Sequence, residues 1–199
     1  MKGKKIKIAG VLLVSTMLAV TSLAACGTKT TSKSTGSSGS TTTVSASDMF
    51  TKRDLDSGYD ESKATKIKLS DSKTTVSGDG AKFSSENGVN TVTITKEGTY
   101  ILSGKLNGHV VVDTDKTAKV QIVLKGATVS GKSTAAIYVK QADKVFLTLA
   151  PNSENTLTET GEFASDNSST VDGVIFSKDD LSINGTGLLK ISTESGHGV

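Results

Sequence analysis

Short apolar runs recur along most of this chain, and their repetition constrains the fold more than any other feature. One set alternates apolar and polar residues, in the runs 91–94, 120–124, 145–149 and 181–183, whose first apolar residues are 28, 25 and 36 residues apart. A second set lies between and after them, at 109–112, 136–139, 174–176 and 198–199. Short runs bounded by Gly, Asn, Asp or Ser are typical of β-strands. Recurrence at roughly 20–50 residues is typical of solenoids. The pattern therefore predicts an all-β chain.

Two all-β folds remain possible. An antiparallel β-sandwich would use the hairpin-type dipeptides Asn87-Gly88, Asn107-Gly108 and Asn184-Gly185. Its core normally contains more aromatic residues than the five Phe, three Tyr and no Trp of this chain. A right-handed parallel β-helix fills its interior with Val, Ile, Leu and small residues, and its long turns accept insertions. The periodicity favours this solenoid over residues 67–199, with residues 151–171 as one extended insertion.

The first 47 residues have the pattern of an export signal followed by a tether. Residues 1–25 contain four lysines, no acidic residue and one apolar run, in the order of a secretory signal peptide. That run is shorter than the ~20 residues of a transmembrane helix. Leu23-Ala24-Ala25-Cys26 resembles the bacterial lipobox, which predicts lipidation of Cys26, the only cysteine. Residues 26–47 are rich in Ser and Thr and have too little apolar surface to fold.

Removal of residues 1–25 changes the charge of the protein. The whole chain has 23 basic and 20 acidic residues, a net charge of +3, and loss of four lysines brings it to about −1. The exported domain therefore gives no reason to expect a nucleic-acid partner. We expect it on the outer face of the bacterial cell membrane, held by the lipid on Cys26. Residues 48–66 are expected to form a lead-in segment against the first strands, with Arg53 away from the coils.

Two blocks, AIYVKQADKVFLTLAPNSENTLT (136–158) and DGVIFSKDDLSINGTGLLKIS (172–192), carry a more specific pattern. They resemble a family of bacterial carbohydrate-binding domain proteins, mostly clostridial-type surface lipoproteins, and the resemblance extends from about Phe50 to the C-terminus. It implies a right-handed parallel β-helix, similar to calcium-containing pectate lyases, that binds acidic polysaccharides such as polygalacturonate. The family pattern continues with further coils after Gly198-Val199. The resemblance thus implies a solenoid that is incomplete at its C-terminus.

Lysines and aromatic residues are the candidates for contacting such a polymer. Lys140 and Lys178 follow the matching runs AIYVK and VIFSK, so stacked coils would place one ammonium group above the other. A ladder of cations suits a repeating anionic polymer. Tyr138 and Phe176 occupy matching positions in the same runs, where they suit either a sugar platform or the core.

Acidic residues in the later turns are the candidates for a metal site. Calcium takes six to eight oxygen ligands, often from several loops. The resemblance to calcium-associated β-helices selects Asp172, Asp179 and Asp180 as possible ligands, although no recognised calcium-loop motif is present. Further acidic residues in this part of the chain are Asp143, Glu154, Glu159, Glu162 and Asp166.

Catalysis is the competing hypothesis. A lyase-type β-elimination needs a strong base beside the metal, and only Lys178 next to Asp179 and Asp180 has the right residue types. His109 and His197 each follow a glycine and resemble recurring turn positions more than a catalytic pair. We therefore expect a non-catalytic, calcium-assisted protein that binds uronate polysaccharides. A calcium-dependent lyase-like enzyme and a structural or adhesive surface protein are the alternatives.

Overall fold

The computed structural model describes residues 49–163 and 171–199, in which strands dominate. One single-turn helix, α1 (Lys52–Leu55), precedes the strands. The strands are β1 (Thr65–Leu69), β2 (Thr75–Ser77), β3 (Ala81–Glu86), β4 (Val89–Ile94), β5 (Gly98–Asp113), β6 (Lys119–Lys132), β7 (Ile137–Gln141), β8 (Lys144–Leu149), β9 (Glu154–Thr160), β10 (Ile175–Ser177), β11 (Asp180–Gly185) and β12 (Leu188–Thr193). The all-β prediction is confirmed.

Several sequence predictions fall outside this part of the chain. The signal peptide of residues 1–25, the lipidation site Cys26, the tether of residues 26–47 and Asp166 all lie outside the described residues. Among the residues that are described, no helix has the length and apolar character needed to span a membrane.

The described strands pair mainly in parallel, in three ladders that we number in chain order. Ladder 1 joins β1, the start of β5, the start of β6, β8 and β11. Ladder 2 joins the middle of β5, the end of β6, β9 and β12. Ladder 3 joins β4, the end of β5, β7 and β10. The two antiparallel pairs are β1 with β2 and β3 with β4.

The ladders confirm part of the predicted repeat and correct the rest. Val120 pairs with Val145, which in turn pairs with Leu181, so the spacings of 25 and 36 residues are real. Val92 pairs with Val110 in ladder 3, so the run at 91–94 belongs to the other set. The prediction that 151–171 is wholly an insertion is wrong, because β9 lies within it and pairs on both sides.

The hairpin-type dipeptides have three different outcomes. Asn87-Gly88 does turn β3 back onto β4, and both residues have positive φ angles, 52° and 78°. Asn107-Gly108 lies inside β5, where the chain passes from ladder 2 to ladder 3 without reversing. Asn184-Gly185 ends β11, and the next strand pairs with β9 rather than with β11. Only Asn87-Gly88 therefore forms the hairpin turn that an antiparallel β-sandwich would use.

Parallel register places like residues above one another in the core. Each ladder turns alternate residues inward, and the inward residues of successive strands form aliphatic rows. These rows include Ile67, Leu102, Leu124 and Leu149; Val92, Val110, Ile137 and Ile175; and Leu106, Val129 and Leu157. Each fully buried side chain of this kind contributes roughly 1.5–3 kcal/mol. The core thus rests on Val, Ile and Leu rather than on aromatic rings.

The lead-in segment packs across the outward face of ladder 1. Its residues Arg53 and Asp54 contact the later strands β6, β8 and β11. The guanidinium of Arg53 lies 4.2 Å from the ring centroid of Phe146 and donates to Gln121 Oε1 at 3.2 Å. Asp54 contacts Lys144 at 2.6 Å and accepts a hydrogen bond from Ser182. The prediction that Arg53 lies away from the coils is therefore wrong. Phe146 is 2% exposed beneath this cover.

Candidate functional site

The outward face of ladder 3 brings together the residues that the sequence selected for polymer contact. The inward residues of β7, Ile137 and Val139, are buried, so Tyr138 between them points outward. Tyr138 pairs with Phe176 on one side and with Val111 on the other. Strand register therefore makes one outward row that ends in two aromatic rings.

Tyr138 and Phe176 form an edge-to-face pair on this row. Their ring centroids are 5.8 Å apart and their planes are inclined by 63°. Both side chains are half-buried rather than enclosed. An aromatic pair in this geometry contributes about 0.5–1.5 kcal/mol beyond its burial. The matching positions predicted from sequence are thus real, and the rings keep an accessible surface.

The two candidate lysines follow these rings but have different partners. The backbone N–H of Lys178 donates to the Val139 carbonyl at 3.0 Å, which sets Lys178 next to β7, the strand that carries Lys140. The Lys178 ammonium lies 5.7 Å from the centroid of the Tyr138 ring, a cation–π contact. The Lys140 ammonium instead donates to Asp113 Oδ2 at 2.8 Å. That hydrogen bond to Asp113 raises the pKa of Lys140 above its ordinary value.

The charge of this cluster therefore rests mainly on Lys178. Among the described residues Lys178 forms no ion pair, whereas Lys140 is paired with Asp113 on the neighbouring strand β5. The sequence analysis did not select Asp113. The signal that would have found it is the alignment of HVVVD (109–113) with AIYVKQ (136–141) one coil later.

The three candidate calcium ligands each have a different partner in the structure. Asp179 Oδ2 accepts the Ala142 backbone N–H at 2.9 Å, while Asp180 pairs in register with Lys144. The backbone carbonyl of Asp172 accepts from the His197 N–H at 2.7 Å. In residues 49–163 and 171–199, no group of three or more His, Cys, Asp or Glu side chains is close enough to hold a metal ion. These three residues do not form one ligand set there, and calcium stays a prediction.

The other acidic residues of the later turns mostly have structural partners. Asp143 forms an ion pair with Lys119, and Glu154 approaches Lys190 at 3.5 Å. Glu159 is 1% exposed, and its carboxylate accepts from the Ser133 N–H at 3.2 Å and from the Thr193 hydroxyl at 3.1 Å. These contacts join residues on or beside neighbouring strands of the ladders. Glu159 therefore has a structural role.

The chain is similar to known carbohydrate-binding proteins. A family described as carbohydrate-binding domain-containing protein matches residues 88–199, which is more than half of the chain. A carbohydrate-binding domain-containing protein of Acetivibrio thermocellus is 35% identical over 111 residues, covering 54% of this chain and 39% of that protein.

A solved structure is similar as well. It is the polysaccharide lyase-like protein from C. thermocellum, determined as a gadolinium derivative, with 32% sequence identity and a TM-score of 0.57. The similarity covers 63% of this chain and 51% of that chain. This chain therefore spans about half of the solved relative and less than half of the curated one.

Proposed function

Because the chain belongs to the family of carbohydrate-binding domain-containing proteins, we propose that it binds an acidic, uronate-containing polysaccharide without cleaving it. The observation that carries this proposal is the outward row of ladder 3, where two accessible aromatic rings lie beside the ammonium of Lys178. Aromatic faces pack against the C–H surfaces of sugar rings, and an ammonium group pairs with a uronate carboxylate.

Ladder 3 suits this role better than ladder 1. The aromatic side chain on the outward face of ladder 1, Phe146, is already covered by Arg53 and is almost fully buried. Tyr138 and Phe176 are only partly buried, although the Lys178 ammonium lies 5.7 Å from the Tyr138 centroid. Successive strands of a ladder lie about 4.8 Å apart, so the row offers repeated contacts to a polymer that crosses it. This arrangement binds through several weak contacts rather than one enclosed pocket.

The three ladders also support a finer proposal for the fold. The chain passes from ladder 1 to ladder 2 to ladder 3 and then returns to ladder 1 within β5, β6 and the strands that follow. We propose that this path is the right-handed parallel β-helix suggested by the sequence. Parallel pairing in nine of the eleven described strand pairs supports it.

Binding is tested by retention of the full chain on polygalacturonate. Replacing both rings, Tyr138→Ala with Phe176→Ala, is expected to weaken binding roughly tenfold or more, because two stacking contacts are lost. Lys178→Met is expected to weaken it about two- to fivefold, the scale of one exposed ion pair. Lys190→Met is the matched control, since Lys190 is an exposed lysine of β12 in ladder 2. Equal retention of all four proteins contradicts the proposed site.

The same assay separates binding from catalysis and tests calcium. A binding protein leaves the polymer intact, so we expect no increase in ultraviolet absorbance from unsaturated uronates. An increase that Lys178→Met abolishes indicates a lyase instead. Retention is compared in calcium and in chelator; the calcium-assisted form of the proposal requires weaker retention in chelator. If the protein is retained on an uncharged polymer but not on polygalacturonate, the acidic-substrate proposal is contradicted.

We further propose that the protein is anchored by a lipid on Cys26 to the outer face of the cell membrane. The lipobox-like sequence Leu23-Ala24-Ala25-Cys26 supports this. Two or three acyl chains hold a protein far more firmly than one, at roughly 0.8 kcal/mol per buried CH₂. Metabolic labelling with a palmitate analogue is expected to mark the wild-type protein and to fail with Cys26→Ser. Labelling of both proteins contradicts the assignment.

A further inference from the structure

A cleft of about 310 Å³ lies where ladder 2 passes into ladder 3, apart from the row of aromatic rings. Its walls come from successive coils and include Val89, Asn90, His109, Ser130, Lys132 and Thr160. It shares no residue with the cluster of Tyr138, Phe176, Lys140, Lys178 and Asp113. Its volume is at the small end of the range for binding pockets, roughly 300–1,000 Å³.

His109 is held in one tautomer at this cleft. Its Nδ1 lies 3.1 Å from the carbonyl oxygen of Ala135, and a carbonyl only accepts, so Nδ1 carries the proton. Nε2 is then an unprotonated acceptor. Burial lowers the pKa of His109 and so favours this neutral form, against a smaller opposing effect of the Ala135 carbonyl.

The Nε2 acceptor of His109 is open to the cleft. No described residue donates a hydrogen bond to it, although His109 is only 9% exposed. In the described part of the chain, no fully enclosed side-chain nitrogen or oxygen lacks a partner. Nε2 is therefore accessible to solvent, and His109 is one of the residues that line the cleft. A ligand that donates a hydrogen bond would satisfy it.

The remaining walls supply both donors and acceptors. Ser130 Oγ accepts from the Thr158 hydroxyl at 2.9 Å, which leaves its own O–H free to donate. Asn90 Nδ2 donates to the Asn107 carbonyl at 3.1 Å, which leaves its amide oxygen as an acceptor. Lys132 adds an exposed ammonium, and Val89, 46% exposed, adds an apolar surface.

This mixture of groups distinguishes between classes of ligand. A sulfate ion has no proton to offer the Nε2 lone pair, a hydrogen phosphate ion can offer one but has no apolar surface to set against Val89, and a metal ion would need further ligands that the described residues do not gather. A sugar ring has hydroxyl groups that both donate and accept, together with an apolar C–H surface. We propose that this cleft is a second sugar subsite, in which a ring hydroxyl donates its hydrogen bond to His109 Nε2.

The subsite rests on the proposed carbohydrate-binding function but uses different residues, so the two are tested separately. In the full chain labelled with ¹⁵N-histidine, we expect Nε2 of His109 to have the chemical shift of an unprotonated nitrogen. Adding galactotetraose or tetragalacturonate is expected to move that signal, also in the double variant Tyr138→Ala with Phe176→Ala. A protonated Nε2 in the free protein overturns the subsite.

The pattern of responses identifies which proposal fails. A stationary His109 signal, with polygalacturonate retention that is lost in the double variant Tyr138→Ala with Phe176→Ala, overturns the subsite and leaves the ladder 3 site standing. A His109 signal that moves while polygalacturonate retention is absent supports the subsite and contradicts the ladder 3 site. A stationary His109 signal together with absent polygalacturonate retention overturns both.

Substitutions provide the second test. His109→Leu is expected to weaken galactotetraose binding about fivefold, the scale of one hydrogen bond, whereas His109→Gln keeps an acceptor and most of the affinity. Lys132→Met is expected to weaken binding without altering thermal unfolding, because Lys132 is exposed. Lys105→Met, another lysine on ladder 2, is the control. Wild-type affinity in both His109→Leu and Lys132→Met overturns the subsite.

Discussion

Replacing Asn155 with Leu is expected to destabilise the protein by on the order of 3 kcal/mol, because it leaves the buried backbone N–H of Ala127 unpaired and removes the part-buried hydrogen bond of Gly126. Asn155 lies in β9, is 0% exposed and points into the core of ladder 2. Its Oδ1 accepts from the N–H groups of Gly126 and Ala127, both at 3.0 Å. Its Nδ2 donates to Ser153 Oγ at 2.9 Å and to the Leu188 carbonyl at 3.2 Å.

One amide thus ties together three successive strands of ladder 2, which are β6, β9 and β12. Leu has the same branching and the same number of non-hydrogen side-chain atoms as Asn and is larger in volume, so the loss of stability does not come from a cavity and includes the missing hydrogen bonds. The measurement is the free energy of unfolding in urea. Glu154→Ala is the control, because Glu154 is the preceding residue, lies exposed and only approaches Lys190 at 3.5 Å. Equal stability of Asn155→Leu and wild type contradicts the role given to this amide.

The same residue explains why the sequence revealed two of the three ladders. Ladders 1 and 3 turn Val, Ile and Leu inward, so their strands have the apolar alternation from which they were predicted. In β9 the inward positions are Asn155, Leu157 and Glu159, and only one of them is apolar. The strand is held by buried polar side chains that reach neighbouring coils. A hydrophobic pattern does not detect such a strand, so it was taken for an insertion.

The sequence repeat also predicted part of the candidate site. Tyr138 with Phe176 and Lys140 with Lys178 were found because one block repeats the other, and strand register preserves that repetition in space. The contacts of the lead-in segment were not predictable in this way. Asp54 meets Ser182 across a separation of 128 residues, and no repeat relates the two. The open acceptor of His109 depends on the Ala135 carbonyl, which the sequence pattern does not indicate.

The contact between the lead-in segment and ladder 1 is expected to weaken in acid, and Asp54 is the group responsible. Asp54 is 5% exposed and lies within 2.6 Å of the Lys144 ammonium. Hydrogen bonds from Lys144 above all, and then from Ser182 and Thr51, hold the pKa of Asp54 well below its usual range. The unfolded chain has no such partners, so its carboxyl titrates near the ordinary value of about 3.9.

A carboxyl whose pKa is lower in the folded state stabilises that state when it is ionised. This contribution is fully present above the unfolded pKa, and it decreases as the pH falls from there towards the folded pKa. Asp54→Asn removes the charge at every pH. We therefore expect Asp54→Asn to be less stable than wild type at pH 7, and the difference between the two proteins to shrink as the pH falls below about 4.

Urea unfolding at pH 7, 5 and 3 measures this difference, and hydrogen exchange at Ser182 and Asn184 reports the local contact. Asn184 Nδ2 donates to the backbone carbonyls of Asp54 and Asp56 at 3.0 and 3.2 Å, so it senses whether the lead-in segment stays in place. Asp56→Asn is the matched control, because Asp56 is an exposed carboxylate two residues away that accepts only from the Gly58 N–H among the described residues. A stability difference for Asp54→Asn that is constant from pH 7 to pH 3 would show that its charge does not hold the segment. If hydrogen exchange instead shows local opening in Asp54→Asn, with Phe146 uncovered, this single carboxylate holds the lead-in segment over Phe146. The aromatic side chains of ladder 3 are then the accessible ones in the wild type, because Phe146 of ladder 1 is covered.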